Sequence, residues 1–260
     1  MSYIEITNIK NILSEIDKNT LVVFDLDYTL FRNKDNFGSP EWYHYLVENQ
    51  IKEGLDQQTS MIKWYPVWLK AQTLAELELM DPEIPALLKT LENQSAGFIG
   101  LTARCPWSAA VTHQQLNKLG LSLNKTVVSK LNFNFDFAHP VVLEKGIMFV
   151  QELNDKGQVF AAWFEKVNFY LGDKPLIKKI VYIDDVEAHV VSMSAAVKEL
   201  NLEFCGYYYS AAAEFKKNMN AKLVMKQGEI LLDDYSEEET QLYLKEALSN
   251  LEKLETSGSY

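Results

Sequence analysis

The sequence predicts an α/β fold, in which a parallel sheet is flanked by helices and carries an inserted α-helical cap and a small β-hairpin. Short apolar runs rich in Val, Ile, Phe and Tyr alternate with stretches of helical periodicity, which is typical of such a sheet. No Pro interrupts these runs, as expected of buried parallel strands. The 260 residues, 47% of them hydrophobic, suffice for a substantial core. We expect one core domain, residues 1–31 and 81–260, and a cap segment, residues 32–80.

Four apolar runs are the predicted strands, at residues 21–25, 97–101, 180–184 and 203–209. Three of them end in polar residues, which are Asp25-Leu26-Asp27, Thr102-Ala103-Arg104 and Asp184-Asp185. Ligands of open α/β sheets bind at the carboxyl ends of the strands. We therefore expect these polar residues to meet at one edge of the sheet.

The cap segment is predicted from the stretch between the first two strands, which is too long for a crossover helix alone. From Pro40 to Met80 it has helical apolar spacing. Its aromatic residues are Trp42, Tyr43, Tyr45, Trp64, Tyr65 and Trp68. We interpret them mainly as core, with one or two free to face a site. Asp81 as N-cap and Pro82 at the first helical position predict the helix that returns to the sheet.

Two further elements are predicted after the second strand. Phe133, Phe135 and Phe137 alternate with polar residues, and an apolar run resumes at 147–150, which favours an antiparallel hairpin. The last 25 residues are acidic with helical spacing, and Ser236-Glu237-Glu238-Glu239 predicts the start of that helix.

Composition narrows the classes of function. A net charge of -11 argues against nucleic-acid binding, and no apolar run approaches the roughly 18 residues of a membrane span. Cys105 and Cys205 match no metal spacing, so free thiols in a reducing cytosol are expected. The first residues lack the pattern of a secretory signal. These observations predict a cytoplasmic protein; they do not predict its oligomeric state.

The aspartates at the predicted strand ends are the strongest chemical signal. A buried carboxylate is costly unless it is paired or bound to a metal ion. Asp25 and Asp27 are two residues apart on an extended segment and can face one site, while Asp184-Asp185 ends another strand. Carboxylates from two strand ends form an oxygen-rich site suited to Mg²⁺. A capping or turn cluster is the competing interpretation of Asp25 and Asp27.

Four motifs in this order resemble those of the haloacid dehalogenase-like superfamily. They are Asp25-Leu26-Asp27-Tyr28-Thr29 after an apolar strand, Thr102 after the next strand, Lys156-Gly157 opening a helix, and the Asp184-Asp185 pair. The resemblance covers residues 20–188 and implies a Rossmann-like core with Mg²⁺-dependent phosphohydrolase activity.

The resemblance also implies a role for each motif residue. Asp25 is the expected nucleophile, which becomes an aspartyl-phosphate, and Asp27 the expected acid and base, which also binds Mg²⁺ through its backbone carbonyl. Thr102 is expected to hold a phosphoryl oxygen, and Lys156 to offset negative charge. Asp185 is expected to bind the metal directly, with Asp184 beside it.

Some assignments have alternatives. Lys145-Gly146 has the same local sequence as Lys156-Gly157 but precedes a strand, so helix position favours Lys156. Arg104 is either a further phosphate donor or the partner in a structural ion pair. The four histidines, His44, His113, His139 and His189, share no metal-binding spacing and are interpreted as solvent-facing or satisfied core residues.

The predicted function is hydrolysis of a phosphomonoester, either a phosphorylated small molecule or a phosphoprotein. Asp27 and the Asp184-Asp185 pair argue against a dehalogenase, which needs neither, while a phosphomutase stays open. The alternative is a catalytically weak or inactive binding or scaffold protein, such as a bacterial effector acting on a host phosphoprotein. The acidic C-terminal run resembles effector translocation signals, but an exposed amphipathic helix is the favoured interpretation.

Overall fold

Eight strands form one sheet whose centre is parallel, in a computed structural model that describes residues 3–126, 128–130, 132–135, 137–171, 177–216 and 220–233. The strands are β1 (Ile4–Ile6), β2 (Thr20–Phe24), β3 (Phe31–Asn33), β4 (Leu77–Leu79), β5 (Gly97–Thr102), β6 (Phe133–Phe135), β7 (Val141–Glu144), β8 (Ile147–Phe149), β9 (Lys179–Asp184) and β10 (Glu203–Tyr209). The order across the sheet is β1-β10-β9-β2-β5-β8-β7-β6, and β3 and β4 form a separate antiparallel pair.

Helices cover both faces of this sheet. The α-helices are α1 (Pro40–Lys52), α2 (Gln57–Leu74), α3 (Ile84–Gln94), α4 (Ala109–Lys118), α5 (Lys156–Leu171), α6 (Glu187–Glu199) and α7 (Ala221–Asp233). Helices α3 and α4 pack in the hydrophobic cluster on one face, whereas α5 and α6 pack in the cluster on the other. None of the described helices has both the length and the apolar character needed to cross a membrane.

The central strands are buried on both faces because both are covered. In β2 all five residues are buried, and their side chains alternate: Val22 and Phe24 belong to one cluster, Leu21 and Val23 to the other. This two-sided burial explains why the sequence of β2 is a continuous apolar run. The prediction of a mostly parallel, Rossmann-like α/β sheet flanked by helices is confirmed, as are all four predicted strands.

The cap segment contains the two helices α1 and α2. Helix α1 begins after Ser39, whose hydroxyl accepts a hydrogen bond from the Trp42 backbone N–H at 3.1 Å. Helix α2 begins after Asp56, whose carboxylate accepts one from the Thr59 N–H at 2.9 Å. Helical structure here agrees with the sequence, while the β3–β4 ribbon at the two ends of the segment was not predicted. The domain boundaries themselves stay a prediction.

Three local predictions have different outcomes. An antiparallel hairpin is present in the predicted region, but the two predicted runs are not partners: β7 (Val141–Glu144) lies between β6 and β8 and pairs with both, and β8 joins the main sheet. The predicted start of α3 was wrong: the helix begins at Ile84, and the Asp81 carboxylate instead accepts the Glu83 N–H at 2.8 Å in the preceding turn. The predicted acidic helix from Ser236 lies outside the described residues.

Candidate functional site

The predicted polar strand ends meet at the point where the order of strands reverses. From β2 the chain proceeds outward through β5 and β8, and it then crosses back to β9 and β10 on the other side of β2. Such a switch point leaves a crevice at the carboxyl ends of the strands. Asp25 follows β2, Thr102 ends β5 and Asp184 ends β9, so all three lie at this crevice.

Three carboxylates form the centre of the site. Oxygen atoms of Asp25, Asp184 and Asp185 all lie within 4.8 Å of one another, and the three residues are buried. Burial raises the pKa of Asp25 against the opposing charge of Lys156, and Asp184 and Asp185 raise it further. Burial and the neighbouring Asp184 likewise raise the pKa of Asp185. Both shifts come first from burial, and the neighbouring carboxylates add to them. Oxygen donors so placed could hold a hard divalent cation.

Lys156 is the buried ammonium at this centre. Its Nζ donates to Asp25 Oδ1 at 2.6 Å and to Asp184 Oδ2 at 2.8 Å. Although burial acts in the opposite direction, the two carboxylates raise the pKa of Lys156, which therefore stays charged. Lys145 lies elsewhere: it is exposed in the tight turn between β7 and β8, with φ of 46° followed by 80° at Gly146. Of the two candidate lysines, the fold brings Lys156 to Asp25.

Asp184 is surrounded by hydrogen-bond donors. Besides Lys156 it accepts from the Tyr182 hydroxyl, from the Val186 backbone N–H at 2.8 Å and from His189 Nδ1 at 3.2 Å. Burial opposes ionisation, but Lys156 and His189 hold the pKa of Asp184 below its usual value. Its oxygens are thus already occupied, which leaves Asp25 and Asp185 as the more accessible oxygen donors of the group.

Asp27 has a different partner. Arg104 Nε donates to Asp27 Oδ2 at 2.7 Å and Arg104 Nη2 to Oδ1 at 2.8 Å, a two-point ion pair. The Asp27 carboxylate is therefore outside the three-carboxylate group, and metal binding through its backbone carbonyl stays a prediction. For Arg104, the contacts favour the ion-pair interpretation over that of a phosphate donor.

Lys216 was not predicted. Its Nζ lies 2.5 Å from Asp185 Oδ2, and the residue follows the short 3₁₀ helix Ser210–Glu214 beyond β10. Strand β10 is parallel to β9, so its carboxyl end reaches the same edge of the sheet. The sequence did contain a signal for Lys216, because residues 203–209 were predicted to be a strand that ends at this edge. Charged residues after that strand were not considered.

A cavity of about 390 Å³ opens above these side chains. Its floor includes Asp25, Asp27, Thr102 and Lys156, and Thr102 is only 1% exposed. The opposite wall comes from the cap segment, where the lining residues include Glu41, Tyr43, His44, Tyr65 and Trp68. Three of the predicted cap aromatics thus line the cavity, and two of them, Tyr43 and Trp68, also belong to the cap's hydrophobic cluster with Trp42 and Trp64.

The remaining candidates have ordinary partners. His44 contacts Glu152 and His113 contacts Glu144, each at 2.9 Å, although His44 and His189 also line the cavity. Both cysteines are free thiols, and burial raises the pKa of Cys105 to about 12, which makes it a poor nucleophile.

Fold and site together define an α/β protein with a Rossmann-like sheet and a buried aspartate–lysine cluster at its switch point. The chain belongs to the family described as "Protein of unknown function (DUF2608)", whose model matches residues 4–241. Three chlamydial relatives are each named "Putative outer membrane protein". The protein of Chlamydia trachomatis serovar D is 25% identical over 214 residues, which cover 80% of this chain and 77% of the relative.

The other two relatives have similar sequence identities to this chain. The Chlamydia muridarum protein is 24% identical over 215 residues, covering 80% of this chain and 77% of its own, and a Chlamydia pneumoniae protein is 23% identical over 242 residues, covering 90% and 87%. No solved structure matches the chain significantly.

Proposed function

We propose that this protein is a Mg²⁺-dependent phosphatase of the haloacid dehalogenase-like type, acting on a small phosphomonoester through an aspartyl-phosphate on Asp25. One observation carries the proposal. Four segments far apart in sequence, which contribute Asp25, Thr102, Lys156 and the Asp184-Asp185 pair, line a single cavity. They are the segments that resemble that superfamily's motifs, and their convergence is what the proposed chemistry requires.

In the first step an oxygen of Asp25 attacks the phosphorus, a bond forms between them, and the bond from phosphorus to the leaving oxygen breaks. The leaving oxygen takes a proton from Asp27. In the second step Asp27 removes a proton from water, whose oxygen attacks the same phosphorus. The bond to Asp25 then breaks and inorganic phosphate leaves. Dividing the reaction in this way replaces one difficult displacement by two easier ones.

Mg²⁺, bound by Asp25, Asp185 and the backbone carbonyl of Asp27, would supply the positive charge that lets an anionic phosphate approach a carboxylate. Lys156 supplies a second positive charge, since its ammonium already donates to Asp25 Oδ1 at 2.6 Å. Thr102 offers a buried hydroxyl to an equatorial phosphoryl oxygen. Positioning and charge stabilisation of this kind are most of what phosphoryl transfer demands of a protein.

The acid and base role of Asp27 has a structural requirement. Both of its carboxylate oxygens accept hydrogen bonds from Arg104. Each carboxylate oxygen has a second lone pair, and one of the two oxygens must use it for the proton that passes to the leaving oxygen in the first step. The Arg104 hydrogen bonds can persist and keep the carboxylate oriented.

The cavity favours a small substrate. Its volume of about 390 Å³ lies in the range of small-molecule sites, and the cap segment forms its outer wall. Sugar phosphates, nucleotides and phospho-amino acids are of suitable size, whereas a folded phosphoprotein would need the wall to move aside. The aromatic and acidic side chains of that wall would contact the leaving group.

The test is hydrolysis of an aryl phosphate with Mg²⁺ or with EDTA. We expect Asp25→Asn to lower turnover by at least about a thousandfold while the protein stays folded, and the exposed Asp35→Asn to change little. Equal turnover in wild type and Asp25→Asn would refute the nucleophile assignment. No Mg²⁺-dependent turnover of any phosphomonoester by the wild type would instead favour the inactive binding or scaffold alternative.

A further inference from the structure

Lys216 places a positive charge on a proposed metal ligand. Its Nζ lies 2.5 Å from Asp185 Oδ2, and the two side chains are 29% and 5% exposed. An ammonium and a divalent cation cannot share that oxygen at this distance, because their like charges repel strongly in a partly buried site. A divalent cation that binds this oxygen of Asp185 must therefore displace Lys216.

A second acceptor for this ammonium is already in place. Glu41 Oε1 lies 3.9 Å from Lys216 Nζ, and the other oxygen of Glu41 accepts from the Tyr28 hydroxyl at 2.5 Å. The ammonium also lies 4.9 Å from the centroid of the Tyr28 ring, a cation–π distance. A shift of about 1 Å would bring Lys216 into hydrogen-bond range of Glu41.

The two acceptors belong to different parts of the molecule. Asp185 follows β9 of the sheet, whereas Glu41 lies in the first turn of α1 in the cap segment. Moving the ammonium from one to the other would replace a contact made to the sheet by a contact that joins the sheet edge to the cap.

We propose that Lys216 is a positioning residue that exchanges partners: it neutralises Asp185 before a divalent cation binds, and pairs with Glu41 of the cap segment afterwards. The inference rests on the metal site of the proposed function. Two effects follow. Lys216 lowers the affinity of the site for Mg²⁺, since it must be displaced, and Glu41 raises that affinity, since it receives the displaced ammonium.

The first experiment measures Mg²⁺ binding to the metal-free full chain by calorimetry, without substrate. We expect Lys216→Met to bind Mg²⁺ about tenfold more tightly than the wild type, because the competing charge is gone. Lys216→Arg keeps the charge and is expected to bind close to the wild type. Lys34→Met is the matched control, since Lys34 is an exposed lysine paired with Glu76 at 3.0 Å; its affinity should not change.

The second experiment is a double-mutant cycle with Glu41→Gln, which removes the proposed receiving charge. Alone, this change is expected to weaken Mg²⁺ binding severalfold. In the Lys216→Met background the weakening should shrink or vanish, because no ammonium remains to be received. A direct attraction between Glu41 and the metal would instead give the same weakening in both backgrounds.

The outcomes separate this inference from the proposed function. Weaker or unchanged Mg²⁺ affinity in Lys216→Met would overturn the partner exchange while leaving the metal site intact. If Lys216→Met fails to fold, Glu41→Gln alone decides, and unchanged affinity there overturns the inference. A wild type that binds no Mg²⁺ would remove the metal site itself, and the inference with it.

Discussion

The guanidinium group of Arg104 donates hydrogen bonds to several residues around the site. In addition to Asp27 it donates from Nη1 to Thr112 at 3.0 Å and to Gln115 at 2.7 Å, and from Nη2 to Gln72 at 3.3 Å. All five N–H groups of the guanidinium thus find acceptors, although the residue is only 5% exposed. The acceptors come from the β2 loop, from α4 and from α2 of the cap segment, so one side chain joins three parts of the chain.

Replacing Arg104 should therefore destabilise the folded protein. We expect Arg104→Met to lower the free energy of unfolding by about 3–5 kcal/mol, because it leaves the Asp27 carboxylate and three other acceptors without their donor. Urea denaturation measures this. Lys89→Met is the control: Lys89 is 73% exposed in an i,i+3 pair with Glu92, which contributes at most about 0.5 kcal/mol. Similar losses in the two variants would contradict the interpretation of Arg104.

For individual residues, the sequence identified which side chains lie at the site better than it identified the ion pairs between them. Asp25, Thr102, Lys156 and Asp185 were predicted, and the structure gathers them around one cavity. The pairing of Asp27 with Arg104 was one of two open alternatives, and Lys216 was missed. The Asp27–Arg104 contact joins residues 77 positions apart, and the Asp185–Lys216 contact joins residues 31 positions apart. Such contacts depend on the order of the strands and on the rotamer of a long side chain, and local sequence determines neither.

Among the elements, α5 and α6 make the contact that places Lys156. A Cβ atom at Gly157 would lie 2.6 Å from the backbone oxygen of Ser192 on α6, which is closer than real Cβ contacts allow. The glycine therefore lets the first turn of α5 approach α6. Asp155 reinforces the approach, because its carboxylate accepts from the Gln158 N–H at 2.8 Å and from the Ser192 hydroxyl at 2.6 Å.

This close approach predicts the effect of Gly157→Ala. Helix propensity alone would favour alanine by up to about 1 kcal/mol, yet we expect a net loss of about 1–3 kcal/mol in unfolding free energy, because α5 must move away from α6. The movement would also displace Lys156 from Asp25 and lower turnover. Thermal and urea unfolding test the first effect. Gln158→Ala, an exposed change one residue further along α5, should be close to neutral; a stabilised Gly157→Ala would show that no clash exists.

Elements were predictable in proportion to their length and burial. Strands β2, β5 and β9 carry continuous apolar runs because both of their faces are covered. All four predicted strands were located within a residue or two. The β3–β4 ribbon was missed because strands of three residues carry too little pattern to recognise. The start of α3 was misplaced because Asp81 satisfies a turn N–H that resembles an N-cap bond in sequence.

In the molecule as a whole, α7 packs on the cap segment. Val224 and Leu231 of α7 belong to the same hydrophobic cluster as Trp42 and Trp64, and Trp42 Nε1 donates to Gln227 Oε1 at 3.0 Å. The cap segment is thereby attached in two ways: its two ends are the paired strands β3 and β4, and its helices pack against α7. The outer wall of the cavity depends on this packing.

This arrangement predicts a local loss of stability in Leu231→Ala. Leu231 is 7% exposed, so its truncation should cost about 2 kcal/mol or more. Hydrogen exchange should show reduced protection in α1 and α2, whereas the amides of β2 and β5 keep theirs. Leu223→Ala, on the exposed face of the same helix at 50% exposure, is the control. Equal loss of protection in the sheet would mean that the cap and the core unfold as one unit.

The sequence by itself determined the α/β class, the central strands and the candidate chemistry, because alternating apolar runs and acidic strand ends are local patterns with local physical causes. Only the tertiary structure decided which lysine reaches Asp25, that Arg104 holds Asp27, that Lys216 lies on Asp185, and that α7 supports the cap. These are contacts between distant segments, and they follow from the order of strands at the switch point and from the packing of helices around it.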